Sequence, residues 1–139
     1  MLVKDIMTHN VEVVSPGDTL EQAARKMEEL NVGPLPACEG NRVVGVLTDR
    51  DITVRATAAG CDPKTTLVSD TMSHDIVFCY EDQDVREAAK LMKENQIRRL
   101  LVLNRANDLL GIVSLGDLAT EAADQGQPGE VLRKVSEPT

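Results

Sequence analysis

The chain repeats itself. Val3-Lys-Asp-Ile-Met-Thr-His9 returns as Val68-Ser-Asp-Thr-Met-Ser-His74, a shift of 65 from Val3 to Val68. The same shift carries Ala23-Ala24 onto Ala88-Ala89, Met27 onto Met92 and Val32 onto Ile97. After one inserted residue, Gly45-Val-Leu-Thr48-x-x-Asp51 matches Gly111-Ile-Val-Ser114-x-x-Asp117, a shift of 66. Ordered matches through both halves mark a duplicated supersecondary unit, and such units bury a core by stacking on one another.

Each copy reads into the same elements. Val11–Val14 and Ile76–Cys79 are short β-branched or apolar runs that predict strands. Helices follow with clear start signals. Thr19 with Gln22, and Asp84 with Glu87, have the spacing at which a cap and the third helical residue satisfy each other's amides. Leu20, Ala23, Ala24, Met27 and Leu30 fall at helical spacing, as do Val85, Ala88, Ala89 and Met92, so each helix is expected to bury one stripe. Two strands come next, Leu35–Cys38 with Arg42–Leu47, and Leu100–Leu103 with Leu109–Val113. Gly40-Asn41 and Arg105–Asp108 make the turns. A second helix runs from near Asp49 to about Ala59, its counterpart from about Leu115 to Ala123.

The expected fold is α/β (α+β): two pseudo-symmetric β-α-β-β-α motifs packed sheet to sheet as one globule, because either sheet alone leaves a face uncovered. The motifs span 1–62 and 63–125. Gly60–Thr66 reads as the linker, and residues 126–139, rich in Gly and Pro, as a loose tail or a short helix.

Composition limits the function. A net charge of −8 argues against coating nucleic acid, which needs a basic surface. No apolar run approaches the roughly 20 residues of a membrane helix, and MLVKDIMTHN lacks the apolar stretch of a secretory signal. A cytoplasmic location is the expectation. Cys38, Cys61 and Cys79, odd in number and irregularly spaced, suit reduced thiols. With no Trp, one Tyr and one Phe, the core must be aliphatic.

The closing element of each copy carries the chemistry. Thr48 or Ser114 ends a strand and caps a helix whose third residue is Asp51 or Asp117. The amides of a helix start favour a phosphate, and a carboxylate one turn in can accept the two hydroxyls of a ribose. The same spacing is also an ordinary cap, and a duplicated protein inherits a cap as readily as a site.

With these motifs in duplicate, the chain resembles the CBS domains, which occur as tandem pairs called Bateman modules. The resemblance runs from about Val3 to Ala123 and rests on Asp-Ile-Met, the helix with Ala-Ala and Met, Val32-x-x-Leu-Pro36, and Gly-x-x-[Thr/Ser]-x-x-Asp in both halves. Leu47-Thr-Asp-Arg-Asp-Ile, followed by Ala58-Ala-Gly60-x-Asp-Pro63, is most similar to stand-alone pairs of the hypoxic-response type.

The resemblance implies two clefts between the paired sheets for adenosine-containing ligands: AMP, ADP, ATP, NAD or S-adenosylmethionine. It implies that Thr48, Asp51, Ser114 and Asp117 hold phosphate and ribose. It places Arg98 and Arg99 near phosphates, where the first copy has Gly33-Pro34, and it puts base contacts around Val11, Ile76, Pro36 and Leu101. Leu101 stands where the family usually has proline, and Leu115-Gly116 replaces Asp49-Arg50, so the two sites are expected to be unequal. Arg50 and Arg55 follow Thr48 on its helix and either add phosphate contacts or pair with nearby acids.

His9, His74 and the three cysteines do not have the spacing of a metal site. Cys79 reads as a small core residue. Phe78 and Tyr80 share one face of their strand, for core, interface or base stacking. No nucleophile–base pairing or Gly-rich phosphate loop with Lys is present. The expected protein is therefore a non-catalytic sensor, homodimeric through its helices, with an adenosine nucleotide as regulatory ligand and no obligatory cofactor. It would pass its state to a separate effector protein. The alternative is a dimerisation scaffold with vestigial clefts.

Overall fold

A computed structural model describes residues 1–124, with side chains through Glu121. The expected tail at 126–139 lies outside the described residues. The chain divides into two compact units, Glu12–Ile76 and Met1–Val11 together with the residues from Val77 onward.

In the Glu12–Ile76 unit, α1 (Leu20–Leu30) opens with the expected reciprocal cap. Thr19 Oγ1 accepts from the Gln22 amide at 3.2 Å, and Gln22 Oε1 accepts from the Thr19 amide at 2.8 Å. Leu20, Ala23 and Met27 are buried, whereas Ala24 and Leu30 of the anticipated stripe are exposed. Strands β1 (Pro34–Glu39) and β2 (Arg42–Thr48) pair antiparallel from Pro34↔Thr48 to Glu39↔Arg42, and β2 leads directly into a short helix α2 (Asp49–Asp51). Gly40 turns the hairpin at φ +61°, a conformation that costs glycine nothing.

The strand expected at Val11–Val14 reduces to one parallel bridge, Val14↔Ala37. The linker is ordered. The carbonyls of Thr66 and Pro63 accept from the Leu20 and Glu21 amides, two donors that an α-helix leaves unpaired at its start. A short helix α3 (Val68–Thr71) follows, absent from the sequence reading. Its Asp70 Oδ2 accepts from the Leu67 amide at 3.2 Å. The chain then pairs along β2 through Ser73↔Val46.

The second unit is built the same way. Strand β3 (Phe78–Tyr80) runs parallel to β4 (Arg99–Leu103), which pairs antiparallel with β5 (Leu109–Ser114). Cys79↔Val102 is the counterpart of Val14↔Ala37 at a shift of 65. Helix α4 (Val85–Asn95) buries Ala88, Ala89 and Met92. Its cap differs from expectation: Asp84 Oδ1 accepts from the Arg86 amide at 2.8 Å, while Glu87 turns to the Gln83 side-chain amide.

Helix α5 (Leu115–Asp124) closes the copy. The leading segment of the whole chain completes this unit. A 3-10 turn at Val3–Asp5 mirrors α3, Val3 is fully buried, and Thr8 and Ile112 exchange both backbone hydrogen bonds at 2.8 and 3.0 Å. The compact units thus exchange the leading segments of the sequence repeats.

Candidate functional site

The motif Gly-x-x-[Thr/Ser]-x-x-Asp takes the same form in both copies. At the end of β2, Thr48 Oγ1 accepts from the Asp51 amide at 3.0 Å, and Asp51 Oδ2 accepts from the Thr48 amide at 3.0 Å. At the end of β5, Ser114 Oγ accepts from the Asp117 amide at 3.1 Å, and Asp117 Oδ2 accepts from the Ser114 amide at 2.9 Å. Both aspartates are half-buried. Each carboxylate therefore commits one oxygen to the backbone and keeps Oδ1 as an acceptor. Each hydroxyl, already accepting, keeps its own proton to donate.

The helix starts are not the bare amide arrays anticipated. The Asp49 amide donates to the Gly33 carbonyl at 3.1 Å, and the Arg50 amide to Asp49 Oδ1 at 2.9 Å. With the Asp51 cap, the opening of the first helix is satisfied from within the chain. In the second copy the Leu115 amide donates to the Arg98 carbonyl at 2.8 Å. The next residue is Gly116, where a Cβ would meet only Ser114 Oγ at 3.6 Å, so the backbone there is uncovered. Asp49 also lies over Gly33, its Oδ1 3.1 Å from where a Cβ would stand, at the position that Arg98 occupies in the second copy.

Thr48, Asp51, Arg50, Pro36 and Ile76 belong to the Glu12–Ile76 unit; Ser114, Asp117, Arg98, Arg99, Leu101 and Val11 belong to the other. Pro36 and Leu101 are buried strand residues, Val11 and Ile76 are half-buried, and Arg50, Arg98 and Arg99 are exposed. Tyr80 has its ring covered by the Arg105 guanidinium, 4.0 Å from the centroid, and Phe78 packs edge-on to it at 5.3 Å. Asp82 fixes Arg105 there through two hydrogen bonds of 3.1 and 2.8 Å. That face of Tyr80 is therefore already occupied by a cation.

His9 and His74 are exposed, and among the described residues no three His, Cys, Asp or Glu side chains converge. Burial pushes the Cys38 thiol up, and the Cys79 thiol up to about 11. Both stay protonated near neutrality, while Cys61 is exposed. A thiol-specific alkylating reagent at pH 8 is expected to label one cysteine rapidly in the native protein and all three in denaturant. Fast native labelling of Cys79 would contradict its burial. A raised thiol pKa means that folding favours the neutral form, so the Cys79 contribution is intact below 9.0 and is lost as pH climbs through about 11. Alkaline unfolding followed between those limits checks the sign.

The CBS domain family model matches residues 3–56 and 68–124, once on each copy. "CBS domain-containing protein YhcV" of Bacillus subtilis (strain 168) is 42% identical over 134 residues, covering 96% of this chain and 94% of its own. A solved structure of Hypoxic Response Protein I, which contains two coordinated zinc ions, superposes with a TM-score of 0.79 at 35% identity, covering 87% of this chain and 98% of its own. The structure of CBSX2 in complex with AMP superposes with a TM-score of 0.75 at 26% identity, covering 90% and 98%. With two family matches on two copies of one motif, this chain belongs to the CBS-domain family as a tandem pair of the kind seen in Hypoxic Response Protein I.

Proposed function

We propose that this protein is a non-catalytic regulatory module that binds an adenosine-containing nucleotide at the helix starts of its CBS motifs. The observation that carries the reading is the twice-built aspartate of Asp51 and Asp117, with one carboxylate oxygen anchored and the other open beside a hydroxyl. An anchored carboxylate is pre-oriented for a ribose diol, so little side-chain entropy is lost on binding. The AMP bound by CBSX2 supports this ligand class. AMP, ADP, ATP, NAD and S-adenosylmethionine all carry an adenosine ribose with both the 2′- and 3′-hydroxyls free to meet such a carboxylate.

The copies divide the work by charge. Leu115-Gly116 with Arg98 and Arg99 favours the phosphorylated members, whereas Asp49 disfavours them at the first copy. Ligand shifts the protein between states only by binding one better than the other, and the change passes through the geometry of a cytoplasmic homodimer to a separate effector. Calorimetry on ligand-stripped protein with AMP, ATP, NAD and S-adenosylmethionine tests the reading. Absence of both heat and thermal shift with all four would refute it.

Asparagine is the informative substitution at Asp51 and Asp117, because its carbonyl preserves the cap while its NH2 cannot accept from a ribose hydroxyl. Asp51→Asn and Asp117→Asn together are expected to weaken binding about tenfold or more, the worth of charge-assisted hydrogen bonds. Melting of the free protein should move little.

A second reading, a dimerisation scaffold with vestigial clefts, draws on the reciprocal caps themselves, each of which is closed by the chain's own hydroxyl and carboxylate as an ordinary cap is. It requires that the double asparagine variant leave self-association and partner capture intact with no ligand response to lose.

A further inference from the structure

The helix that follows Thr48 changes its winding beside the candidate site. Asp49–Asp51 is α-helical, but Ile52–Thr57 is wound as a π-helix, and the Ala58 amide reaches the Thr53 carbonyl, five residues back, at 3.1 Å. The cause is local. Thr53 Oγ1 donates to the Asp49 carbonyl at 3.1 Å, four residues back, a side-chain bond that competes with the helical ladder and distorts it. The second copy has Ala119 where the first has Thr53, and α5 shows no π segment.

Winding decides where Arg55 goes. In a regular α-helix, residues four apart share a face, and an acid four positions before an arginine is the favoured order for an ion pair. Arg55 would then stand over Asp51 and take its open oxygen. Here Arg55 Nη1 instead donates to the Thr71 carbonyl at 3.3 Å, at the end of α3, and makes no ion pair with Asp51. At the equivalent spacing the second copy has Asp117 and Glu121, two acids that cannot pair, so regular α-winding leaves Asp117 open without any device. Wide π turns of this kind recur at functional sites.

We propose that the Ile52–Thr57 segment is an autoinhibitory switch: π-wound it keeps Arg55 on Thr71 and Asp51 open to ligand, and α-wound it lets Arg55 occupy Asp51. The proposal rests on Asp51 being a ligand group, and it deepens that reading by naming how the first site is regulated. Thr53 acts as a positioning residue, through Arg55. The two windings bind ligand unequally, so the ligand and the Thr53 hydroxyl stabilise the same state.

The test uses the intact chain and needs two measurements. The first, without ligand, is NMR coupling across the hydrogen bond from the Ala58 amide, expected to Thr53 in the unmodified chain and to Val54 in Thr53→Ala. The second is calorimetry with AMP and S-adenosylmethionine. Thr53→Ala is expected to weaken binding at the first site roughly two- to fivefold, the scale of an exposed or partly buried ion pair. The loss should shrink at high salt. Adding Arg55→Gln to Thr53→Ala should restore affinity while leaving the α-winding in place, a rescue that a merely structural role for Thr53 would not produce. Unchanged winding in Thr53→Ala overturns the switch, as does switched winding with unaltered affinity or without rescue. If the unmodified protein binds neither ligand, the nucleotide reading falls and takes this regulation with it. The ligand-free couplings tell that failure apart from failure of the winding itself.

Discussion

Deleting Met1–Val11 is expected to unfold residues 77–124 while leaving 12–76 folded. The segment supplies Val3, fully buried in the core of Cys79, Met92, Leu100 and Val113. It also exchanges two hydrogen bonds with Ile112, donates from Val3 to Gln83 and from Lys4 to Glu81, and accepts from Val85 through Met1. Burial of one valine is worth about 1.5–3 kcal/mol, and each intramolecular hydrogen bond about 1 kcal/mol. The sum approaches the whole stability of a small domain, about 5–15 kcal/mol. Amide resonances of 77–124 should collapse toward random-coil shifts in the truncated chain, and those of 12–76 should remain dispersed. A complementary chain joins Val11 directly to Val77, mimicking the Ile76–Val77 bond because Ile76 is the repeat equivalent of Val11. It is expected to fold, since it contains one complete unit. Retained dispersion of 77–124 after the deletion, or a disordered fusion, would contradict the exchange of leading segments.

The exchange shows where sequence reading stops. Duplication was plain because Val3-Lys-Asp-Ile-Met and Val68-Ser-Asp-Thr-Met share spacing, but similarity says which segments are equivalent and not which ones pack together. Local signals read well. Thr19 with Gln22 formed its reciprocal cap, and both hairpins and the two long helices stand where periodicity and turn residues put them. Signals that depend on the opposite partner did not. Ala24 and Ala89 occupy equivalent helical positions, yet one is exposed and the other buried, because burial depends on what faces the helix. The strand at Val11–Val14 shrank to a single bridge although its counterpart kept three residues.

At the site, the Thr48–Asp51 and Ser114–Asp117 pairs were legible because a cap is a local arrangement. The Gly33 carbonyl that satisfies the Asp49 amide was not, since that contact spans β1 and β2. The π-winding had one visible signal, Thr53 in place of Ala119, whose meaning depends on a backbone acceptor that sequence does not display.

Replacing Gly111 by alanine is expected to cost more than replacing Gly45, although the two glycines are equivalent in the repeat. Each lies on a strand against which a leading segment packs. At Gly45 a Cβ would stand 2.5 Å from Met72 Sδ and 3.0 Å from the Ser73 carbonyl oxygen. The worse clash is with the far end of a flexible thioether, which can turn away. At Gly111 the nearest atom is the Thr8 carbonyl oxygen, which also accepts from Ile112 at 3.0 Å. That oxygen cannot retreat without breaking the bridge that ties the leading segment to β5. Overpacking of this kind costs about 1–3 kcal/mol, and Gly111→Ala adds about 1 kcal/mol for the hydrogen bond it loosens. Chemical denaturation should place Gly111→Ala well below Gly45→Ala, with faster hydrogen exchange at Ile112. The cause separates in double-mutant cycles. Met72→Ala, itself destabilising because it leaves a cavity, should offset part of the Gly45→Ala cost, since the clash is with its own sulfur. Met7→Ala should do nothing for Gly111→Ala, because the obstruction there is backbone. Equal costs at the two glycines, or rescue of Gly111→Ala by Met7→Ala, would show that the leading segment approaches β5 less closely than the structure has it.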